Sequence, residues 1–184
     1  TDITYVVANR LLRKSKEQKD KIREYLTPFS KFYEGWTEGL EQYVELFPVH
    51  PNYISTFERL PVVEQRGVLQ VLSKSFESMK DDELPQDYPG LLAMDSFWSY
   101  IKDNPHFRAN DDLKETIECS DVLDAKISSG FPKSKKQYIG IANRIVAGLS
   151  VRRLTTTDVN APIGMAPDEL RDQLCIYHPF VAEM

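Results

Sequence analysis

The stretch LFPVHPNYISTFERLPVVEQRGVLQVL, residues 46–72, decides the fold because its prolines separate successive helical patterns. A proline inside a helix removes a hydrogen bond and clashes with the preceding turn, so Pro48 ends the pattern before it. At the first position of a helix the missing N–H costs nothing, so Pro51 and Pro61 each begin a helix. The helix after Pro61 carries Arg66 among apolar residues. The stretch therefore predicts short helices joined by tight corners.

Apolar residues at helical spacing extend this pattern in both directions. Upstream, residues 2–13 predict one helix, and the S-x-x-Q capping box at Ser15 begins another. Downstream, Asp95 and Asn110 are predicted to cap two further helices. The core of the second of these is predicted to contain Leu113, Ile117, Val122, Leu123 and Ile127. Residues 133–154 form the longest helical pattern, and the chain has no strand pattern. The predicted fold class is all-α.

Composition indicates an ordered globular protein. The chain has 184 residues, of which 41% are hydrophobic, enough for a packed core. The net charge of -5 excludes a protein that coats nucleic acid through its total charge, although it allows a local basic face. No apolar run approaches the roughly 20 residues of a membrane span, so no membrane partner is expected.

Cysteine and histidine are placed for structure rather than for metal or redox chemistry. Cys119 and Cys175 are far apart, and both are predicted to be core residues of a protein from a reduced, cytoplasmic compartment. His50, His106 and His178 each neighbour a proline. They are predicted to cap helices or to pack in corners, with catalysis or metal binding as the alternative.

The sequence contains no complete nucleotide-hydrolysing site. It has no G-x-x-x-x-G-K-[ST], no G-x-G-x-x-G and no G-x-S-x-G motif. We therefore predict no catalytic residue, no metal site and no ATP hydrolysis by this chain alone. The start at Thr1 without an initiator methionine, and the open helical pattern at Met184, predict a piece of a larger protein.

Arg66 is a candidate nucleotide-binding residue. It lies in the sequence Glu64-Gln65-Arg66-Gly67, after a proline-defined corner and within an apolar helical stretch. In ATPases with a helical lid, an arginine near the start of a lid helix reaches the γ-phosphate, a task suited to a planar and permanently charged guanidinium. The alternative is a structural salt bridge, with Glu58 as a possible partner.

Two segments of the chain are rich in basic residues. Residues 10–23 contain many cations and few acids, which predicts either an anion-facing surface or a solvated helix face. No acid occurs between Asp124 and Asp158, so the second segment is locally positive. Its candidate nucleic-acid-binding residues are Lys135, Lys136, Arg152 and Arg153.

Three long stretches, in order, resemble a known family. They are LFPVHPNYISTFERLPVVEQRGVLQVLS, DSFWSYIKDNPHFRAN and RIVAGLSVRRLTTTDVNAPIGMAPDELRDQLCIYHP. They resemble the BrxC and PglY proteins, very large bacterial phage-resistance ATPases of BREX defence systems. The resemblance implies a P-loop ATPase of the AAA+ type whose core lies N-terminal to this chain. It also implies ATP and Mg²⁺ as cofactors of the parent protein, with none bound tightly here, and other BREX subunits as partners.

The resemblance also suggests a domain organisation. Residues 1–79 look like the helical lid subdomain of the ATPase, with Arg66 at the position of a lid sensor arginine. The acidic, proline-containing residues 80–94 are a linker, and residues 95–132 a helical connector. Residues 133–184 look like the start of a helix-turn-helix or winged-helix module.

Two main functional hypotheses follow. In the first, the chain is a non-catalytic part of a BREX-type ATPase that couples ATP binding and hydrolysis to engagement of DNA or a partner subunit. In the second, it is a DNA- or protein-binding scaffold with no nucleotide role. The aromatic segment around Trp98 and Tyr100 would serve subunit assembly or self-association in a purely structural variant.

Overall fold

The computed structural model is built from helices. It describes residue 7 and residues 11–60, 65–156 and 164–176. In chain order the described helices are α1 (Lys16–Leu26), α2 (Trp36–Leu46), α3 (Pro51–Phe57), α4 (Gln65–Met79), α5 (Trp98–Lys102), α6 (Pro105–Arg108), α7 (Asp111–Gly130), α8 (Ile139–Thr155) and α9 (Pro167–Leu174), with 3-10 segments at Thr27–Phe32, Met94–Phe97 and Lys133–Tyr138. Within these ranges extended pairing is limited to one isolated parallel bridge, between Val49 and Leu92. The all-α prediction is confirmed.

None of the helices in the described ranges combines the length and the apolar character needed to cross a membrane. The chain divides into two compact units. The first unit consists of Thr1–Ala93 together with Arg171–Met184, and the second unit is Met94–Leu170. The assignment of residues 1–79 to a lid, 80–94 to a linker, 95–132 to a connector and 133–184 to a partial helix-turn-helix module stays a prediction.

In the first unit, α1 begins as its sequence predicts. The Ser15 side chain accepts a hydrogen bond from the Gln18 N–H at 3.2 Å, and the Gln18 side chain accepts one from the Ser15 N–H at 2.8 Å. The α-helix ends at Leu26, and a 3-10 segment follows because Pro28 has no N–H to continue the α-helical ladder. Leu26 and Phe29 are buried, as predicted, while the predicted helix at residues 2–13 lies largely outside the described residues.

The Pro-His-Pro corner connects α2 to α3 within the first unit. The His50 side chain caps α3, and Pro51 occupies the first turn, as predicted. The His50 N–H donates to the Leu92 carbonyl at 2.9 Å, and the Leu92 N–H donates to the Pro48 carbonyl at 2.8 Å. The buried face of α3 follows helical spacing, since Tyr53, Ile54 and Phe57 are all buried. The predicted helix start at Pro61 lies outside the described residues.

The second unit contains the longest helix, α7, which packs with α8. The predicted cap Asn110 is confirmed, since its side chain accepts a hydrogen bond from the Asp112 N–H at 2.9 Å. Asn104 caps α6 in the same way, accepting from the His106 N–H at 2.9 Å. The predicted cap Asp95 is wrong. The carboxylate of Asp95 is bound by an arginine of α8, and α5 begins after a 3-10 turn with Phe97 at its N-cap and no side-chain cap.

The predicted core of α7 is wrong in its second half. Leu113 and Ile117 are buried, but Val122 is 53% exposed and Leu123 is 40% exposed. The buried face continues through Ser120, which is 1% exposed. At 100° per residue, Val122 is turned about 200° from Ser120 and therefore points outward. The buried face is thus continued by a small polar residue that hydrophobicity alone does not identify.

The structure divides the basic helical pattern at residues 133–154 into a 3-10 segment and an α-helix. Residues Lys133–Tyr138 form a 3-10 segment, and α8 begins at Ile139. Val146 and Val151 are buried, whereas several other apolar residues of α8 are only half-buried. The next helix, α9, begins in the second unit and ends in the first.

Candidate functional site

Arg66 is the second residue of α4 as the structure describes that helix. Its side chain lies outside the described residues, and so does its sequence neighbour Glu64. The alternative partner Glu58 is an exposed residue at the C-cap of α3. The assignment of Arg66 as a nucleotide sensor, like the salt-bridge alternative, therefore stays a prediction.

The four predicted nucleic-acid-binding cations lie at the two ends of α8. Lys135 and Lys136 are exposed on the 3-10 segment that precedes the helix. Arg152 and Arg153 are in its last turn, where Arg153 is exposed and Arg152 half-buried. At 1.5 Å per residue, the first residue of α8 lies about 20 Å along the axis from Arg152. The structure therefore places these residues as two separate pairs.

The two basic segments of the chain differ in how their charge is balanced. On α1, Lys21 pairs with Glu17 at 2.7 Å, and Arg23 pairs with Asp20 and Glu41, each at 2.7 Å. The described part of residues 10–23 thus combines local ion pairs with two exposed cations, Arg13 and Lys16, that form no ion pair with a described residue. By contrast, Lys133, Lys135, Lys136 and Arg153 form no ion pair with any residue that the structure describes.

An open cleft of about 390 Å³ lies within the second unit, between the Met94–Phe97 turn, α5, α7 and α8. One wall contains an ion pair between Arg144 and Asp95 that the sequence analysis did not predict. The Arg144 guanidinium donates from Nε to Asp95 Oδ2 at 2.6 Å and from Nη2 to Asp95 Oδ1 at 3.4 Å. The Asp95 side chain is only 7% exposed. These residues are 49 positions apart, so no local pattern could reveal the pair.

A second charged cluster connects α5 and α6 to α7. Lys102 pairs with Asp121 at 3.1 Å and also with Asp124, while Arg108 donates to Asp121 at 3.0 Å. The hydrogen bond from Arg108 is the main cause that lowers the pKa of Asp121. Burial opposes the charge of Lys102, but its hydrogen bonds to the two aspartates outweigh burial and raise its pKa. Both shifts favour the charged forms of Lys102 and Asp121.

Most buried polar side chains around the cleft have a hydrogen-bond partner. The indole N–H of Trp98 donates to Ser120 Oγ at 2.9 Å, so two buried polar groups satisfy one another and join α5 to α7. Asn143 Oδ1 is buried and has no hydrogen-bond partner among the described residues. The cleft lining contains no histidine and no cysteine, and cations hold Asp95 and Asp124. The two carboxylates that cations hold stabilise the fold of the second unit.

The histidine predictions have different outcomes. His50 is 2% exposed, and its Nδ1 accepts the Asn52 N–H at 3.1 Å, which confirms the predicted capping role. Burial lowers the pKa of His50 to about 4. His106 is exposed on α6, and His178 lies outside the described residues. No group of histidine, cysteine, aspartate and glutamate in the described ranges is arranged to hold a metal ion.

The cysteine prediction is half right. Cys175 is 2% exposed and packs in the core of the first unit with Leu26, Phe29 and Trp36. Cys119 is exposed on α7, because it lies on the side of that helix away from the buried Ser120. The two cysteines thus differ in accessibility, and this difference depends on tertiary packing rather than on the local sequence.

The chain is an all-α protein. It carries basic residues at both ends of α8, and it has a cleft whose charged side chains pair with one another. The family model described as the DUF6079 second domain matches residues 15–184, so the chain belongs to that family. No curated protein matches the chain, and no solved structure does.

Proposed function

We propose that this domain is a non-catalytic helical module of a BREX-type phage-defence ATPase. It couples ATP binding and hydrolysis in a separate core to engagement of DNA or of a partner subunit. The resemblance of three ordered stretches to BrxC and PglY supports the link to ATP. The description of the matching family as a second domain supports a role within a multidomain protein.

The observation that carries the binding role is the absence of ion pairs for the exposed cations of the α8 region among the described residues. On α1, three of the four cations, Lys19, Lys21 and Arg23, are paired with acids, and Lys16 forms no ion pair with a described residue. Lys135, Lys136 and Arg153 keep their charge available to a ligand. Because about 20 Å of helix separates the two basic ends, an extended polyanion such as duplex DNA contacts both at once, whereas a small anion reaches only one.

We expect binding of duplex DNA at low salt, with a steep loss of affinity as salt increases. Changing Lys135, Lys136, Arg152 and Arg153 to glutamine removes four phosphate contacts. The slope of log K against log salt concentration should then decrease by about 3 to 4, at roughly 0.9 per contact. Fluorescence anisotropy with a labelled duplex over a series of salt concentrations measures this slope.

The matched control changes the exposed Arg13, Lys16, Lys21 and Lys31 to glutamine, which removes the same charge from the first unit. It should leave most of the slope intact. A second variant changes Lys135, Lys136 and Arg153 to glutamine but keeps Arg152. Comparing the two variants shows whether loss of the half-buried Arg152 side chain disturbs the fold. Equal slopes for the α8 variant and the wild type would exclude DNA contact by these residues.

We expect Arg66→Ala to lower ATP turnover in the multidomain ATPase that contains this domain, while the helical circular dichroism stays unchanged. An arginine that contacts the γ-phosphate in the transition state typically contributes a large factor, on the order of 10³ or more. Steady-state phosphate release measures the effect. The purified 184-residue chain itself should show no turnover above background.

The control for this experiment is Arg59→Ala, which removes an exposed cation seven positions earlier in the sequence. It should leave turnover at the wild-type rate. Wild-type turnover in Arg66→Ala, combined with loss of DNA binding in the α8 variant, would favour the second candidate function, a DNA- or protein-binding scaffold without a nucleotide role. The exposed, unpaired cations of the α8 region favour that candidate as well, since they do not require a nucleotide.

A further inference from the structure

The outer face of α7 is the side turned away from the buried residues Leu113, Ile117 and Ser120. Along this face lie Asp111, Glu115, Glu118, Val122 and Lys126. Consecutive residues of this set are three or four positions apart, so they form one line along the helix. All five are exposed, Val122 to 53%. Leu123, which is 40% exposed, lies beside the centre of the line. The outer face thus has an apolar centre and charged ends.

The two ends of the outer face have opposite charge. Asp111, Glu115 and Glu118 occupy its N-terminal half, and Lys126 lies in its C-terminal half. None of these residues forms an ion pair with any part of the chain that the structure describes. The helix dipole favours acids only in the first turn, so it does not account for Glu115 and Glu118.

We propose that the outer face of α7 binds a second copy of this chain, with the two α7 helices antiparallel and a two-fold axis beside Val122. Glu118 precedes Val122 by four residues, and Lys126 follows it by four, about 6 Å in either direction. The axis therefore places Glu118 of each copy opposite Lys126 of the other. The two-fold axis repeats this pair, so the interface contains two such contacts.

Charge complementarity selects the second copy as the occupant. A surface that is acidic, then apolar, then basic is complementary to itself when reversed, which is the requirement of an isologous interface. A parallel arrangement would place like charges together. The helix α7 has 20 residues and is about 30 Å long, so one helix pair gives an interface at the small end of the specific range and a weak dimer. The proposal is independent of the proposed function, since it uses none of the four candidate DNA-binding cations.

A charge-swap experiment tests the interface. In the dimer, Glu118→Lys or Lys126→Glu places like charges opposite one another at both symmetry-related contacts. Each single variant should therefore raise the dimer Kd about tenfold, equivalent to about 1.4 kcal/mol. The double variant restores opposite charges and should recover the wild-type Kd. Glu118 and Lys126 are about 12 Å apart along their own helix and cannot pair within one copy, so recovery reports contact between copies. Sedimentation velocity over a wide range of protein concentration measures the Kd.

Cysteine cross-linking tests the position of the axis. In a Cys119→Ser background, Val122→Cys places two thiols at the two-fold axis and should give a disulfide-linked dimer under mild oxidation. Ser129→Cys lies on the same face, but about 10 Å from the axis in each copy, so it should stay monomeric. A wild-type chain that is monomeric at every concentration, a double charge variant that does not recover, or equal cross-linking at both positions would overturn the proposal.

Discussion

Replacing Arg144 with methionine is expected to lower the free energy of unfolding by about 3 kcal/mol. The substitution keeps the aliphatic part of the side chain but removes the guanidinium that binds Asp95 at 2.6 Å and 3.4 Å. The Asp95 side chain is 7% exposed, so its carboxylate would stay buried without this cation. Urea denaturation followed by circular dichroism measures the change.

Two further variants test whether the unpaired charge causes this loss. Glu41→Gln removes an exposed partner of Arg23 and should lower the free energy of unfolding much less, because solvent screens an exposed ion pair. Combining Asp95→Asn with Arg144→Met removes the buried charge together with its partner, so it should recover part of the loss. If Arg144→Met costs no more than Glu41→Gln, the pair does not stabilise the second unit.

Acid should destabilise the first unit through His50 by up to about 3 kcal/mol. Burial lowers the pKa of His50 to about 4 from an ordinary value of 6.5. The folded state therefore favours the neutral ring, whose Nδ1 accepts the Asn52 N–H. This contribution is complete above about pH 6.5 and is lost as the pH falls toward 4, because the unfolded chain binds the proton first. Denaturation at pH 7 and at pH 4.5 measures the difference.

The matched variant for the pH experiment is His50→Asn. Asparagine keeps a side-chain oxygen that can cap α3 but has no titratable ring. It should lose less stability between pH 7 and pH 4.5 than the wild type, whatever its stability at pH 7. His106→Asn, on the exposed His106, should follow the wild-type curve. Parallel pH curves for His50→Asn and the wild type would show that His50 does not carry the acid sensitivity.

Helix ends were predictable because they depend on local chemistry. Proline at residues 48 and 51, the capping box at Ser15 and the cap Asn110 act within a few positions of themselves. The buried face of α3 followed from the same periodicity. The all-α class could therefore be predicted from the sequence alone.

Contacts between distant segments were not predictable. Asp95 has the sequence context of a helix cap, yet its partner is Arg144 in another helix. Ser120 replaces an apolar residue on the buried face of α7 because the Trp98 N–H requires an acceptor. Val122 and Cys119 point outward because Leu113, Ile117 and Ser120 form the buried face of the same helix. The basic residues near α8 were visible in the sequence, but their lack of acidic partners among the described residues required the structure.

The division of the chain into units has a consequence for the order of folding. The first unit contains Thr1–Ala93 and Arg171–Met184, so the whole second unit is synthesised between its two parts. Leu174 and Cys175 belong to the buried interior of the first unit, and the Glu34 N–H donates to Asp172 Oδ2 at 3.3 Å across 138 positions of sequence. During synthesis the second unit is therefore complete before the first has all its core residues. The first unit can therefore complete its core only after the second unit has been synthesised.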